Sequence, residues 1–286
     1  MYRLTLIIFC FYFSTQCYAQ SLTQYVNPFI GTQGSGHTFP GATTPFGFVQ
    51  LSPETQNTGW EYCSGYQYTD QSIIGFAHTH LSGTGVMDLG DVLMLPYTGK
   101  AIKENYRCKI DKQSEQGNPG YYSVLLPDDN IKAELTTTQR TGIQRYTFNT
   151  AAEAHILLDM QSGLLGEPKN LKDHVVESTI NIESNNTISG YAYTKWWVEQ
   201  KIFFVIEFSK PFITSQFLDV DTKRKLVVDY MPKAGEVIEV RVGISTVSID
   251  GAKLNLSESK NKSFEKIKTE ADALWNSYLS KIEIEG

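Results

Sequence analysis

Two histidines one residue apart, then glycines and two aspartates, stand in GFAHTHLSGTGVMDLGDVLMLP, residues 75–96. Three readings suit that set: a metal site, a general base with its orienting acid, or a tight turn whose polar groups bond backbone. On a strand, His78 and His80 would share one face, as residues i and i+2 do. Zinc would then need a third ligand and usually a fourth. Asp88 and Asp91 are the nearby donors, and no Cys or Glu stands at a familiar metal spacing. The competing reading makes both histidines hydrogen-bonding or ligand-contacting groups in a crowded turn, with Gly83 and Gly85 supplying unusual dihedrals. The residue types favour that second reading.

Other candidate chemistries fail sooner. Ser82 in HLSGTG has neither the G-x-S-x-G elbow nor the following helix of a nucleophilic serine. GTQGSGHTFPGATTPFG (31–47) lacks the lysine of a phosphate loop, and its prolines at 40 and 45 interrupt any dinucleotide fingerprint. With Asn27 and His37 beside its glycines, it reads as a rim that shapes a concave site. TGWEYCSGYQYTD (58–70) adds Trp60, Tyr62, Tyr66 and Tyr68 next to Glu61 and Asp70. Aromatic faces beside carboxylates suit a sugar, which offers C–H bonds to a ring and hydroxyls to an acceptor. Core packing explains such residues too, so only one or two are expected to touch a ligand.

Composition limits the partners. A net charge of −6, with no basic run longer than KRK at 223–225, argues against nucleic acid. Residues 1–19 read as a cleaved export signal: Arg3, an apolar stretch from Leu4 to Phe13, and Ala19 before the cut. That stretch is too short for a membrane span. The export expected here is to the periplasm or the extracellular space. Cleavage leaves Cys63 and Cys108, whose spacing demands no disulfide, and two buried thiols are the favoured expectation.

These residues need a β scaffold. YYSVLLP (121–127), IKAELTTTQ (131–139), IQRYTFN (143–149), KIFFVIEF (201–208), KLVVDYM (225–231) and EVIEVRVGISTVS (236–248) are short, β-branched or aromatic, and separated by turn residues. STINIESNNTISGYAY (178–193) predicts a hairpin reversing at Ser-Asn-Asn. Together they predict an all-β sandwich of antiparallel sheets. Only the C-terminus changes period: Phe264, Ile267, Ala271, Leu274, Trp275, Tyr278 and Ile282 predict an amphipathic helix with Ser263 as N-cap. Its apolar stripe either packs on the sandwich or opens a further domain, and in the second case it leaves an exposed apolar patch.

YVNPFIGTQGSGHTFPGATTPFGFVQLSP, GWEYCSGYQY, IIGFAHTHLSGTG and DLGDVLMLP, in that order, resemble the N-terminal domain of glycoside hydrolase family 92. The resemblance continues through NPGYYSVLL, IKAELTTTQRTGIQRYTF and VIEFSKPF, and covers almost all of the chain after the signal. It implies an exo-acting, inverting, calcium-dependent α-mannosidase acting on mannose-containing glycans. It further implies a β-supersandwich of the galactose-mutarotase type over 20–258, and a helix over 259–286 leading into an (α/α)₆ catalytic barrel. The general acid, general base and calcium ligands belong to that barrel, so no catalytic residue, metal ligand or cofactor is carried onto this chain, which is expected to be inactive alone. The loops of this domain form one wall of the sugar pocket. Trp60 matches a pocket-wall tryptophan; Glu61 stands where the family usually has Asp; His80 and Asp88 complete the expected substrate-binding set, beside His78 and Asp91. The alternative is a stand-alone secreted carbohydrate-binding protein.

Overall fold

Alternation carries the architecture. In Glu236–Ser245, Ile238, Val240, Val242 and Ile244 are buried, while Glu239 and Arg241 turn outward and pair at 3.1 Å. Strands with one such face are stable only when two sheets press their apolar faces together. The computed structural model describes residues 21–165, 174–282 and 284, so the export signal read over 1–19 lies outside the described residues. Among them, one sheet runs Ala42–Thr43, Gln50–Glu54, Gly75–Ala77, Leu93–Thr98, Ala154–Asp159, Lys225–Tyr230, Thr214–Phe217. The other runs Val175–Ser184, Thr187–Lys195, Glu199–Phe208, Glu236–Ser245, Thr141–Phe148, Ile131–Thr137, Tyr121–Leu126, Asp111–Asn118. Neighbouring strands pair antiparallel throughout. A small ribbon, Ser72–Ile73 with Cys108–Lys109, closes one side.

The core lies between the two large sheets. Phe76 from the first and Tyr146 from the second meet with ring centroids 6.3 Å apart, and both are fully buried. Each such side chain contributes roughly 1.5–3 kcal/mol of burial. The predicted all-β sandwich is the observed class, and the predicted hairpin reverses at Asn185–Asn186 between Ser184 and Thr187. Cys63 and Cys108 are free and buried, as expected. No helix among the described residues is long and apolar enough to cross a membrane.

Two helices differ from expectation. The strand read to residue 248 stops at Ser245, and α1 (Ile249–Leu256) follows it. Ser248 caps α1 by accepting from the Gly251 amide at 2.9 Å. The helix lies on Gly243, where an added Cβ would come within 2.4 Å of the Ala252 carbonyl oxygen. A one-sided contact of two turns leaves too few apolar positions for a helical period to show in the sequence. The terminal helix α2 (Phe264–Leu279) is capped by Ser263 as predicted, and buries Phe264, Ile267 and Ala271. Trp275 donates its Nε1–H to the Thr43 carbonyl at 2.5 Å, so the helix does pack on the sandwich. Ile282 falls beyond its end and is exposed. Apolar surface stays open beside it: Tyr278 stands edge-on to the exposed ring of Phe46, 5.5 Å between centroids.

Candidate sugar-contact site

Three loops at one margin of the sandwich are bonded into a single unit. The Gly83 amide donates to the His37 carbonyl at 2.6 Å, and the Ser64 hydroxyl sits between the carbonyls of His37 and Leu81. Gln67 ties the rim to the Trp60–Tyr62 turn. Its amide accepts from Gly34 N at 2.9 Å, and donates to the carbonyls of Gly34 at 2.9 Å and Glu61 at 2.5 Å. Neither Ser64 nor Gln67 stands out in the sequence, because polar residues in a polar loop advertise no partner.

Trp60 is the aromatic group this unit presents. It is 55% exposed, so it is no core residue. Its Nε1–H donates to the Gly85 carbonyl at 2.9 Å, and His37 meets its ring edge-on at 4.3 Å between centroids. The indole is thereby fixed in orientation while much of its surface stays open. Gly85 has φ +64°, a backbone conformation that favours glycine, and a Cβ there would only touch His37 (3.4 Å) and Trp60 (3.6 Å) in ordinary contact. Glu61 is exposed on the same turn. Tyr66 belongs to the core, its hydroxyl 2.7 Å from Glu115. Tyr68 is exposed and flanks an open depression of about 380 Å³ lined by Asn27, Phe29, Ile30, Gly31 and Gln33.

The histidines and aspartates lie beneath that surface. His78 is fully buried, Nδ1 bonded to the Val92 carbonyl at 2.7 Å, and burial pushes its pKa down to about 4. His80 is 4% exposed, with Nδ1 2.8 Å from the Gln50 carbonyl and Nε2 3.5 Å from Glu54 Oε1. Neither oxygen of Glu54 has a closer partner among the described residues, and burial raises its pKa. Gly65 and Gly90 roof this carboxyl: their added Cβ atoms would sit 2.9 Å from its Cγ and 2.7 Å from its Oε1. Both adopt positive φ, so glycine serves twice at each position.

Asp88 is 4% exposed and spends both oxygens on backbone. Oδ1 accepts from Leu89 N at 2.8 Å, and Oδ2 from Val198 N at 2.6 Å. Burial raises its pKa against the pull of these bonds. Asp91 accepts at Oδ2 from the Thr79 hydroxyl (2.7 Å) and from Gln200 Nε2 (3.1 Å). Of the predicted set, Trp60 and Glu61 thus reach the surface together, and His80 and Asp88 support it from below. The two aspartates accept from N–H and O–H donors, and among the described residues no group of three or more His, Cys, Asp or Glu side chains is placed to hold a metal ion.

Burial raises the pKa of Asp91 to about 6, from an ordinary 3.8. In that interval the folded chain holds a proton that the unfolded chain has lost, so this group's contribution to stability falls as pH rises. Asp91→Asn removes that titration. The stability of the variant relative to wild type is therefore expected to fall on acidification from about pH 6 toward pH 4. Denaturant unfolding of both proteins at several pH values checks this; a difference independent of pH would assign Asp91 an ordinary pKa.

The sequence model of the glycosyl hydrolase family 92 N-terminal domain matches residues 25–245, well over half of the chain. The chain belongs to glycoside hydrolase family 92. A family 92 α-mannosidase from Bacteroides thetaiotaomicron superposes with a TM-score of 0.85 at 33% identity, over 93% of this chain and 39% of its own. A family 92 inverting mannosidase from the same species shares the fold, at TM-score 0.75 and 23% identity, over 92% of this chain and 37% of its own. An uncharacterized secreted glycosidase of Arthroderma benhamiae is 26% identical, over 93% of this chain and 39% of the relative. The chain therefore spans about two fifths of the length of these relatives. The family 92 domain they share with it is the β-sandwich described above.

Proposed function

We propose that this chain forms the non-catalytic wall of an α-mannoside-hydrolysing site. Trp60 stacks on a mannose ring and Glu61 accepts a sugar hydroxyl beside it, while His80 and Asp88 hold the loops that aim them. The carrying observation is the state of the nearby carboxylates: of Glu54, Glu61, Asp88 and Asp91, Glu61 alone is open to solvent. Inverting glycoside hydrolysis needs two accessible carboxyl groups about 6.5–9.5 Å apart, one to protonate the leaving oxygen and one to activate water. Asp70, the other carboxylate of residues 58–70, is half-buried against Tyr62, so Glu61 is the one open carboxylate beside the indole, which suits binding and leaves the acid–base pair to other residues. Kinship with a solved α-mannosidase at 33% identity supports mannose as the sugar. Residues 259–286 are proposed to lead into a catalytic barrel that supplies the acid, the base and the calcium. Export through residues 1–19 completes the proposal, supported by the word secreted in the name of the fungal relative.

The test is direct. The 286-residue chain, incubated with 4-nitrophenyl α-mannoside with and without calcium, is expected to release no nitrophenol. Release that disappears in Glu61→Gln would overturn the assignment and make this chain an enzyme in its own right.

A further inference from the structure

The turn between strands Thr187–Lys195 and Glu199–Phe208 carries three consecutive large apolar residues, all exposed: Trp196 at 42%, Trp197 at 74% and Val198 at 42%. An exposed pair of indoles at a hairpin tip contributes nothing to the core and invites aggregation unless it has a ligand. The tip is nevertheless held in place. Trp196 N donates to the Val198 carbonyl at 3.2 Å, and Val198 N donates to Asp88 Oδ2 at 2.6 Å.

The other end of that anchor leads back to Trp60. Asp88 lies three residues after Gly85, whose carbonyl takes the Trp60 indole N–H at 2.9 Å. Three residues span at most about 11 Å. One short segment of backbone therefore holds two exposed aromatic groups, Trp60 at one end and the Trp196–Trp197 tip at the other. Two aromatic groups tied to one short anchor suit an oligosaccharide rather than a single ring.

The polar groups at the tip fit the same ligand. Lys195 pairs with Glu199 at 3.0 Å, and the Tyr193 hydroxyl donates to Glu199. Indole faces beside a lysine, a carboxylate and a phenol offer a sugar both its C–H stacking surface and its hydroxyl partners. A membrane surface is the poorer match, since Glu199 and a net charge of −6 oppose anionic headgroups.

We infer that the Trp196–Trp197 tip is a second sugar-contact surface, taking a more distant unit of the oligosaccharide whose terminal ring lies on Trp60. The inference rests on the sugar-contact reading of Trp60. Because the tip is pre-set by backbone hydrogen bonds, little ordering opposes binding there.

The test compares two probes, methyl α-mannoside and an α-linked mannotrioside, titrated into the chain and followed by NMR. Wild type should bind the trioside more tightly. Trp197→Ala should reduce the trioside-to-monosaccharide affinity ratio roughly fivefold. Trp60→Ala should weaken both probes, and Leu254→Ala, exposed on α1, should alter neither. Trp197 is exposed, so its variant should melt with wild type. Equal affinities for the two probes in wild type would overturn the second surface while leaving Trp60 in its role. So would a ratio unmoved by Trp197→Ala and by the double variant with Trp196→Ala. If neither probe binds, the sugar-contact reading of Trp60 falls and this inference falls with it.

Discussion

Trp60→Ala, in a protein that joins this chain to a family 92 catalytic barrel, is expected to lose at least about tenfold in kcat/KM while its melting temperature stays within about 3 °C of wild type. The activity loss follows from the indole face. Exchanging water for a sugar's C–H patch at an aromatic contact contributes on the order of 1–3 kcal/mol, and each 1.4 kcal/mol is tenfold. The small thermal effect follows from exposure: Trp60 is 55% open and loses one hydrogen bond, to the Gly85 carbonyl. A core tryptophan would behave oppositely, with a melting transition lowered by many degrees. Turnover unchanged by the substitution would remove Trp60 from the site. For this chain alone the same contact is half a pocket, and mannose affinity is expected in the millimolar range or weaker.

The parts of this protein that could be read from sequence share one property: their signal is local. Alternation in EVIEVRVGIS places Ile238, Val240, Val242 and Ile244 inward whatever the partner sheet turns out to be. Ser263 is a visible cap because it precedes its helix directly. Trp60 is the exception: its neighbours leave it level with Tyr62, Tyr66 and Tyr68, and only the resemblance of GWEYCSGYQY to family 92 singles it out. What was hidden depends on partners far away in the chain. α1 forms because Gly243 admits it, and nothing within Ile249–Leu256 says so. Asp88 reads as a ligand contact because an aspartate in a glycine-rich loop has no visible employment; its partner, Val198, is 110 residues further on. Trp196 and Trp197 fall in the gap between the hairpin predicted to residue 193 and the strand predicted from 201, where nothing local says what two indoles would meet. The charged Lys195 and Glu199 on either side were the clue that these indoles sit at a turn and face water.

Asp88 also gives the sharpest stability prediction. Asp88→Ala is expected to cost about 2–4 kcal/mol, because two backbone donors, Leu89 N and Val198 N, lose an acceptor in a site that is 4% exposed. For a chain of this size that is a fall of roughly 5–10 °C in melting temperature. Leu89 adds to the loss. Its φ of +69° lies in the left-handed region, which a leucine holds only when its surroundings fix it, and the bond from its amide to Asp88 is one of the fixings. Asp88→Asn should rescue little, although it is isosteric. The carboxylate accepts at both oxygens, whereas an amide turns an N–H toward one of the two backbone donors and replaces attraction with repulsion. Asp88→Ala should therefore lose the hydrogen-exchange protection of the Val198 amide and free the Trp196–Trp197 tip, while Asp88→Asn should keep one acceptor and lose protection at whichever of the Leu89 and Val198 amides meets its NH2 group. The contrary result is equally definite. A melting temperature and a Val198 amide that stay as in wild type, together with lost mannoside binding, would move Asp88 from the scaffold to the sugar.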